Sequence, residues 1–165
     1  MIIFVAIITN IKQLMNYNLD ESLGHNISIL SALLKRQVFR IIAENELPIT
    51  PDQWVILYYL WQKDGLSISE LAVKSKKDFA NLTRIIDKLV KLGYVVKRKD
   101  NADSRKTIVY VLPHAETIRH KIETCWEDAT NTIEKGISVE EQRMMIDLIR
   151  RIERNVEEWL SDNRS

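Results

Sequence analysis

The chain contains a single cysteine, Cys125, among its 165 residues, so it cannot form an internal disulfide. A chain without disulfides is typical of a reducing cytoplasm. A reactive thiol needs a nearby positive charge and solvent access. Cys125 instead lies within a helical pattern of apolar residues. That setting favours a small core or interface residue over a redox sensor.

Glycine and proline are scarce, with four and three residues respectively, and no glycine-rich phosphate loop is present. The chain also has no cysteine pair with metal-ligand spacing and no nucleophile motif. His114 and His120 are six positions apart, which does not place both on one face of a helix. Carboxylate pairs such as Glu140-Glu141 are explained as helix caps or solvated faces. These absences predict a protein that is not an enzyme and has neither metal nor cofactor.

No apolar run is long enough to cross a bilayer, which takes ~20 residues. The segment Met1–Thr9 is apolar, but it lacks the preceding positive charge and the cleavage site of a signal peptide. We therefore expect a cytoplasmic protein; a membrane-tethered regulator would depend on this segment alone. Either translation starts at Met15, or the first fourteen residues pack onto a dimer core. The polar stretch 16–21 favours the start at Met15.

The net charge of +1 becomes informative when it is divided along the chain. Residues 74–106 hold eleven Lys and Arg against four Asp, a net charge of +7, so the remaining residues carry −6. A near-neutral protein can bind nucleic acid when its positive field is concentrated in this way. The charge distribution therefore places a candidate DNA-binding region within 74–106.

Two short helices are predicted around this basic region. Residues 67–70 (Ser-Ile-Ser-Glu) form a capping box and begin the first helix. A polar turn at 74–77 follows, and Asp78 can cap a second helix that runs to about Leu92 and ends at Gly93. On the second helix one face is apolar, at 3, 4 and 7 spacing: Leu82, Ile85, Ile86 and Leu89. The sequence thus predicts a helix-turn-helix with a polar, basic exposed face.

An extended run follows Gly93 and completes the pattern. Residues 94–99 and 107–112 read as two strands, and the polar residues 100–105 between them are typical of a turn. A hairpin directly after a recognition helix is a wing, whose arginine can enter a DNA minor groove. We therefore predict a winged helix-turn-helix.

Long amphipathic helices are predicted on both sides of this unit. One spans about 22–46, and two more span about 114–135 and 138–160. Their apolar faces exceed what the winged helix needs for its own core, and a symmetric dimer would bury them. Packing within one chain is the alternative. The predicted fold class is mainly α (α+β), a winged helix-turn-helix with long N- and C-terminal dimerisation helices.

The predicted organisation is an N-terminal extension at 1–21 and a single domain at 22–165. Within that domain, residues 47–112 form the DNA-binding lobe, and residues 22–46 and 113–162 form the helical dimerisation region. The helix after Thr50-Pro51 carries Trp54 and Tyr58, which are either core residues or the lining of a pocket for an aromatic ligand.

Three motifs resemble the MarR family of bacterial transcription regulators. They are the segments 82–89 (LTRIIDKL), 93–95 (GYV) and 103–105 (DSR), supported upstream by 50–54 (TPDQW) and 71–72 (LA). The resemblance covers roughly 22–160. In one departure, the family often has Leu-Thr and then Gly after the second wing strand, whereas this chain has Leu-Pro-His-Ala at 112–115. The resemblance implies a homodimer that binds a pseudo-palindromic operator in double-stranded DNA, usually as a repressor.

The candidate DNA contacts are divided by their expected partners. Asn81, Arg84 and Lys88 lie at helical spacing and are predicted to face the major groove, where Asn can pair with adenine and Arg with guanine. Near the amino end of that helix, further groove or phosphate contacts are predicted for Ser75, Lys76, Lys77 and Thr83. Basic wing residues are predicted to attract phosphates: Lys97, Arg98, Lys99 and Lys106.

The resemblance matches Arg105 to the arginine at the wing tip, with Asp103 as its supporting ion-pair partner. It also implies a small aromatic or phenolic effector between the dimerisation helices and the DNA-binding lobe. The alternative function is a winged-helix protein-interaction or dimerisation module that does not bind DNA.

Overall fold

The structure is a computed structural model that describes residues 18–163. Within that range it is mainly helical with one small antiparallel sheet, which confirms the predicted fold class. The main elements are α1 (Leu23–Glu44), α2 (Pro51–Gln62), β1 (Leu66–Ser67), α3 (Ile68–Ser75), α4 (Phe79–Lys91), β2 (Val95–Lys99), β3 (Thr107–Val111), α5 (Glu116–Glu134) and α6 (Val139–Asp162). The predictions for residues 1–17 lie outside the described residues.

The chain divides into two compact units, one ending at Leu112 and one beginning at Pro113. The boundary coincides with the predicted end of the DNA-binding lobe. The first unit contains α1 as well as the winged helix, and the second contains α5 and α6. A single domain over 22–165 stays a prediction.

The sheet has the strand order β1-β3-β2. β2 and β3 form the predicted antiparallel hairpin, with Val95 opposite Val111 and Lys99 opposite Thr107. β1 is only two residues long and pairs with β3 through Leu66 and Val109. The sequence did not predict β1, because two residues are too few to show an alternating pattern.

The core of the first unit forms where α2, α3 and α4 meet the sheet. All four apolar residues predicted on the inner face of α4 are buried, as are residues of α2 and the strands: Leu82, Ile85, Ile86, Leu89, Trp54, Ile56, Leu57, Leu60, Val95 and Val109. Burial of apolar surface contributes ~25 cal/mol per Å². Packing of these residues in the core therefore determines which face of α4 is exposed to solvent.

Side chains that accept hydrogen bonds from backbone amides define several helix starts. Ser67 and Glu70 form the predicted reciprocal capping box of α3, and Ser138 and Glu141 form that of α6. Hydrogen bonds from Ser67 lower the pKa of the Glu70 carboxyl below its usual value. At α4, the Asp78 carboxylate accepts from the Asn81 amide at 2.8 Å. These caps fix the first turn of each helix.

Helix α1 and the second unit expose many large apolar side chains. None of the residues of α6, Val139–Asp162, is buried. Helix α5 follows a short 3-10 helix, Pro113–Ala115, and begins without a side-chain cap, at the point where the sequence departs from the family pattern. Cys125 on α5 is buried, as predicted, and burial raises the pKa of its thiol. A raised pKa disfavours the reactive thiolate.

None of the helices in the described part of the chain is both long enough and apolar enough to cross a membrane.

Candidate nucleic-acid interface

The turn between α3 and α4 is built by backbone and side-chain hydrogen bonds. Lys76 ends α3 in the left-handed conformation, with φ of 52°. The Lys77 amide then donates to the Ala72 carbonyl at 3.3 Å. The Ser75 hydroxyl donates to the Leu71 carbonyl at 2.7 Å, so its hydrogen is committed to its own helix. This tight turn sets the direction in which α4 leaves α3.

Helix α4 keeps its polar side chains outside the core. Asn81, Arg84 and Lys88 are all exposed. At 100° per residue, Arg84 lies about 150° from the centre of the buried face, whereas Asn81 and Lys88 lie about 90–110° from it. The three therefore form one flank of the helix, with Arg84 the farthest from the core. The Thr83 hydroxyl donates to the Phe79 carbonyl at 2.8 Å.

This flank of α4 borders a cavity of about 550 Å³. The opposite walls come from α1 and from the amino end of α2. The lining residues are Lys35, Phe39, Thr50, Pro51, Asp52, Gln53, Asn81, Arg84, Ile85, Asp87, Lys88 and Lys91. The lining carries four cations, two carboxylates and one aromatic ring, and the carboxylates of Asp52 and Asp87 are paired with Lys77 and Lys97. The remaining positive charge and the ring suit an anionic aromatic molecule. The sequence did not reveal this cavity, because its walls lie far apart along the chain.

A second cavity of about 390 Å³ lies beside the first. It shares Thr50, Gln53, Lys88 and Lys91 with its neighbour and adds mainly apolar residues from the α1–α2 connection. Helix α4 is thus bordered by two adjoining cavities along one side.

Lys77 has an ionic partner outside the turn. Its ammonium lies 2.7 Å from Asp52, near the amino end of α2, and its side chain is only 18% exposed. Lys97 and Arg105 also form ion pairs, but their side chains are 35% and 91% exposed, so Lys77 is the least accessible to DNA of these three predicted contacts. The ion pair of Lys77 ties the turn to α2.

The wing is attached to α4 and stiffened by contacts between its strands. Lys97 on β2 forms an ion pair with Asp87 on α4. The Arg98 guanidinium lies 5.5 Å from the centre of the Tyr110 ring on β3, within cation–π range. Lys99 and Lys106 are exposed near the outer end of the hairpin.

Two aspartates organise the wing tip. Asp100 accepts hydrogen bonds from the amides of Ala102 and Asp103 at 2.8 Å each, and these bonds lower the pKa of its carboxyl. Asp103 accepts from both the amide and the Nε of Arg105 at 3.1 Å, so the predicted ion pair is present. The Arg105 side chain is nevertheless 91% exposed. The tip thus holds an arginine outward in a fixed turn.

The two aromatic residues proposed for a ligand pocket lie elsewhere. Trp54 is buried in the core at 6% exposure, whereas Tyr58 is half exposed. Neither lines either cavity beside α4. Within residues 18–163, no three His, Cys, Asp or Glu side chains lie close enough together to hold a metal ion.

Comparison with known proteins is consistent with this geometry. The model of the MarR family matches residues 49–107. The chain is 31% identical over 107 residues to the uncharacterized HTH-type transcriptional regulator YsmB of Bacillus subtilis. The matched residues make up 65% of this chain and 69% of YsmB. It is 24% identical over 130 residues to the HTH-type transcriptional regulator TtmR of Methylorubrum extorquens, covering 79% of this chain but only 65% of TtmR.

Among solved structures, the fold is similar to that of Bordetella bronchiseptica BpsR, whose DNA binding is regulated by 6-hydroxynicotinic acid. The TM-score is 0.76 at 20% identity, over 83% of this chain and 96% of BpsR. The chain belongs to the MarR family of DNA-binding, HTH-type transcriptional regulators.

Proposed function

We propose that the protein is a cytoplasmic, ligand-responsive repressor that binds a pseudo-palindromic operator as a homodimer. The observation that carries this proposal is the concentration of exposed basic side chains on α4 and the wing, within a segment of net charge +7. Such a surface attracts the phosphate backbone, while base contacts supply the specificity.

The base contacts are assigned to the exposed flank of α4. Arg84 suits a guanine and Asn81 suits an adenine, since each side chain can form two hydrogen bonds to the corresponding base edge. Lys88 extends the same flank toward the carboxyl end of the helix. Lys76 is assigned to a phosphate near the turn. Ser75 and Thr83 are assigned to the same role, in which each hydroxyl must turn its hydrogen from the Leu71 or Phe79 carbonyl to the phosphate. Their place at the amino end of α4 is where helix-turn-helix proteins approach DNA.

The wing supplies a second set of contacts. Arg105 is assigned to the minor groove, because its guanidinium is held outward by Asp103. Attraction to phosphates is assigned to Lys97, Arg98, Lys99 and Lys106. These contacts predict binding that weakens steeply as salt concentration rises.

A second copy of the chain is proposed to cover the exposed apolar faces of α1 and α6. On α6, Met145, Ile149, Ile152, Val156 and Trp159 follow alternating spacings of four and three, the pattern of a helix–helix seam. None of them is buried within one chain. Contiguous exposed apolar faces are unfavourable in water, and a symmetric pair of chains would bury both copies.

Dimerisation gives the two recognition helices a defined spacing. Helices that enter successive major grooves lie about 34–36 Å apart. A pseudo-palindrome with one half-site per chain matches that arrangement. A ligand that changes this spacing changes the affinity of the protein for DNA. DNA binding then changes the affinity for the ligand by the same factor.

The effector is proposed to be a small aromatic acid bound in the cavity between α1 and α4. Phe39 can stack on its ring, while Lys35 and Arg84 can neutralise its carboxylate. The regulation of BpsR by 6-hydroxynicotinic acid supports this chemical class. Because Arg84 is also assigned to DNA, an acid that engages it would compete directly with base recognition.

Selection from a random DNA library, with the full-length chain as bait, tests the DNA-binding function and identifies the operator sequence in the same step. Fluorescence anisotropy on the selected duplex then compares the wild type with Arg84→Ala, Arg105→Ala and the control Arg40→Ala. We expect Arg84→Ala to lose about tenfold or more in affinity, as for one bidentate base contact. Arg105→Ala should also weaken binding, while Arg40, which pairs with Glu44 on α1, should be dispensable.

Two outcomes would count against the assignment. Equal affinity of the wild type and both arginine variants would refute the residue roles. Failure to enrich any DNA sequence would instead favour the alternative, a winged-helix interaction module.

The effector is tested by a thermal-shift screen of small aromatic acids, beginning with 6-hydroxynicotinic acid. A bound acid should raise the melting temperature of the wild type and release the selected DNA. Phe39→Ala should abolish both effects and keep DNA affinity. Stabilisation that persists in Phe39→Ala would place the ligand elsewhere.

A further inference from the structure

Phe79 is a large apolar side chain at the first position of the recognition helix. Its side chain is 59% exposed, although neighbouring apolar residues of α4 are fully buried. It does not line either cavity beside the helix. The core and the proposed effector site therefore leave this ring without an assigned role.

The residues next to Phe79 on the exposed side of α4 have short side chains. Ala80 is exposed, and Thr83 lies one turn further along on the same side of α4. The Thr83 hydroxyl donates its hydrogen to the Phe79 carbonyl, so that hydrogen is not available to a base. At 100° per residue, Phe79 and Thr83 lie on the flank of α4 opposite Asn81, and Ala80 lies between that flank and Arg84. The amino end of α4 thus presents a patch of Phe79, Ala80 and the Thr83 methyl group across the helix from Asn81.

In a helix-turn-helix the amino-terminal residues of the recognition helix contact base edges. In the major groove, the one apolar group that a base pair presents is the C5-methyl of thymine, and Ala, Thr and Phe side chains are suited to contact it. We propose that Phe79 is a specificity-determining residue that reads a thymine methyl in each half-site. This inference rests on the proposed DNA-binding function.

Replacement of thymine by deoxyuridine tests the contact, because it removes only the methyl group. In the selected duplex, each thymine is replaced in turn, and affinity is measured for the wild type, Phe79→Ala and Phe79→Leu. At one thymine per half-site, the wild type should lose about fourfold, the factor that corresponds to roughly 0.8 kcal/mol for one buried methylene-sized group. Phe79→Ala should show no loss at that position, and Phe79→Leu an intermediate loss.

Val90→Ala is the matched control, since Val90 is an exposed apolar residue at the opposite end of the same helix. It should keep the full wild-type penalty for deoxyuridine. Thermal melts check that the variants are folded, as expected for substitutions at an exposed position.

The outcomes separate this inference from the proposed function. If the wild type selects no sequence, DNA recognition itself fails and the inference fails with it. If the wild type selects a sequence but the deoxyuridine penalty is absent, or is equal in Phe79→Ala, the methyl contact alone is overturned. A selected sequence without a recurrent thymine in each half-site also overturns it.

Discussion

The ion pair between Lys77 and Asp52 provides a direct test of how the helix-turn-helix is held together. Lys77 lies in the turn between α3 and α4, and Asp52 lies near the start of α2, 25 residues away. Their charged atoms are 2.7 Å apart. The substitutions are Lys77→Ala, Asp52→Asn and the two combined. If the pair orients the turn, each single change should lower the free energy of unfolding, and the double change should cost less than the sum.

The size of the effect follows from the exposure of the two partners. The Lys77 side chain is 18% exposed but that of Asp52 is 49% exposed, so solvent screens much of the attraction. Opposite charges at about 4 Å attract by roughly 4 kcal/mol at an effective dielectric of 20, before desolvation and side-chain entropy are subtracted. Measured couplings of exposed pairs reach only about 1 kcal/mol. We therefore expect a coupling energy near 1 kcal/mol, measured by urea unfolding followed by circular dichroism.

DNA binding gives the second measurement. A lysine that contacts a phosphate contributes about 0.9 to the slope of log affinity against log salt concentration. Because its charge is already engaged, Lys77→Ala should leave this slope unchanged. Lys99→Ala, which removes an exposed wing lysine, should reduce it by about 0.9 per chain. A coupling energy near zero, or a slope that falls in Lys77→Ala as far as in Lys99→Ala, would refute the structural role of Lys77.

Two further predictions concern the scaffold of the winged helix. Hydrogen bonds from Ser67 lower the pKa of Glu70, so the Glu70 carboxylate stabilises the fold above its unfolded pKa of about 4.3, and this stabilisation is lost as pH falls through the lower native pKa. In Glu70→Gln, the free energy of unfolding should therefore fall less steeply as pH is lowered. An unchanged pH dependence would contradict this. Gly65 has φ of +71°, and an added Cβ would lie 3.0 Å from the Tyr110 ring, so Gly65→Ala should destabilise by about 1–3 kcal/mol in thermal or urea unfolding. The control Gly24→Ala, in open space on α1, should be neutral or stabilising by about 0.5 kcal/mol, and equal effects at both positions would argue against the strain at Gly65.

Local patterns predicted much of the fold, because the interactions that start and stop its elements are local. The capping boxes at Ser67 and Ser138 each join residues three apart, and both are present as predicted. The apolar face of α4 and the hairpin after it were likewise visible in spacing alone. Boundaries were less accurate: α1 was predicted to end at Glu46 but ends at Glu44, because Asn45 caps the helix and Glu46 adopts a left-handed conformation with φ of 50°.

Long-range contacts could not be predicted in the same way. The ion pair of Lys77 with Asp52 depends on how α2 packs beside the turn, and that of Lys97 with Asp87 depends on how β2 packs against α4. The cavity beside α4 likewise requires α1, α2 and α4 to be placed together. Helical spacing identified Asn81, Arg84 and Lys88 as one polar set, but it did not show that they border this cavity. Phe79 was overlooked because an apolar residue at a helix start resembles an ordinary core position.

The stoichiometry of the complex on the selected duplex tests the central claim most directly. Native mass spectrometry of the wild type should show two chains alone in solution and two chains on one duplex. Ile152→Glu, which places a charge in the apolar seam of α6, should give single chains with greatly weakened DNA binding. A wild type that is monomeric at the concentrations where it binds, or that occupies the duplex as one chain, would contradict the proposal that two copies of α4 read the two halves of one site.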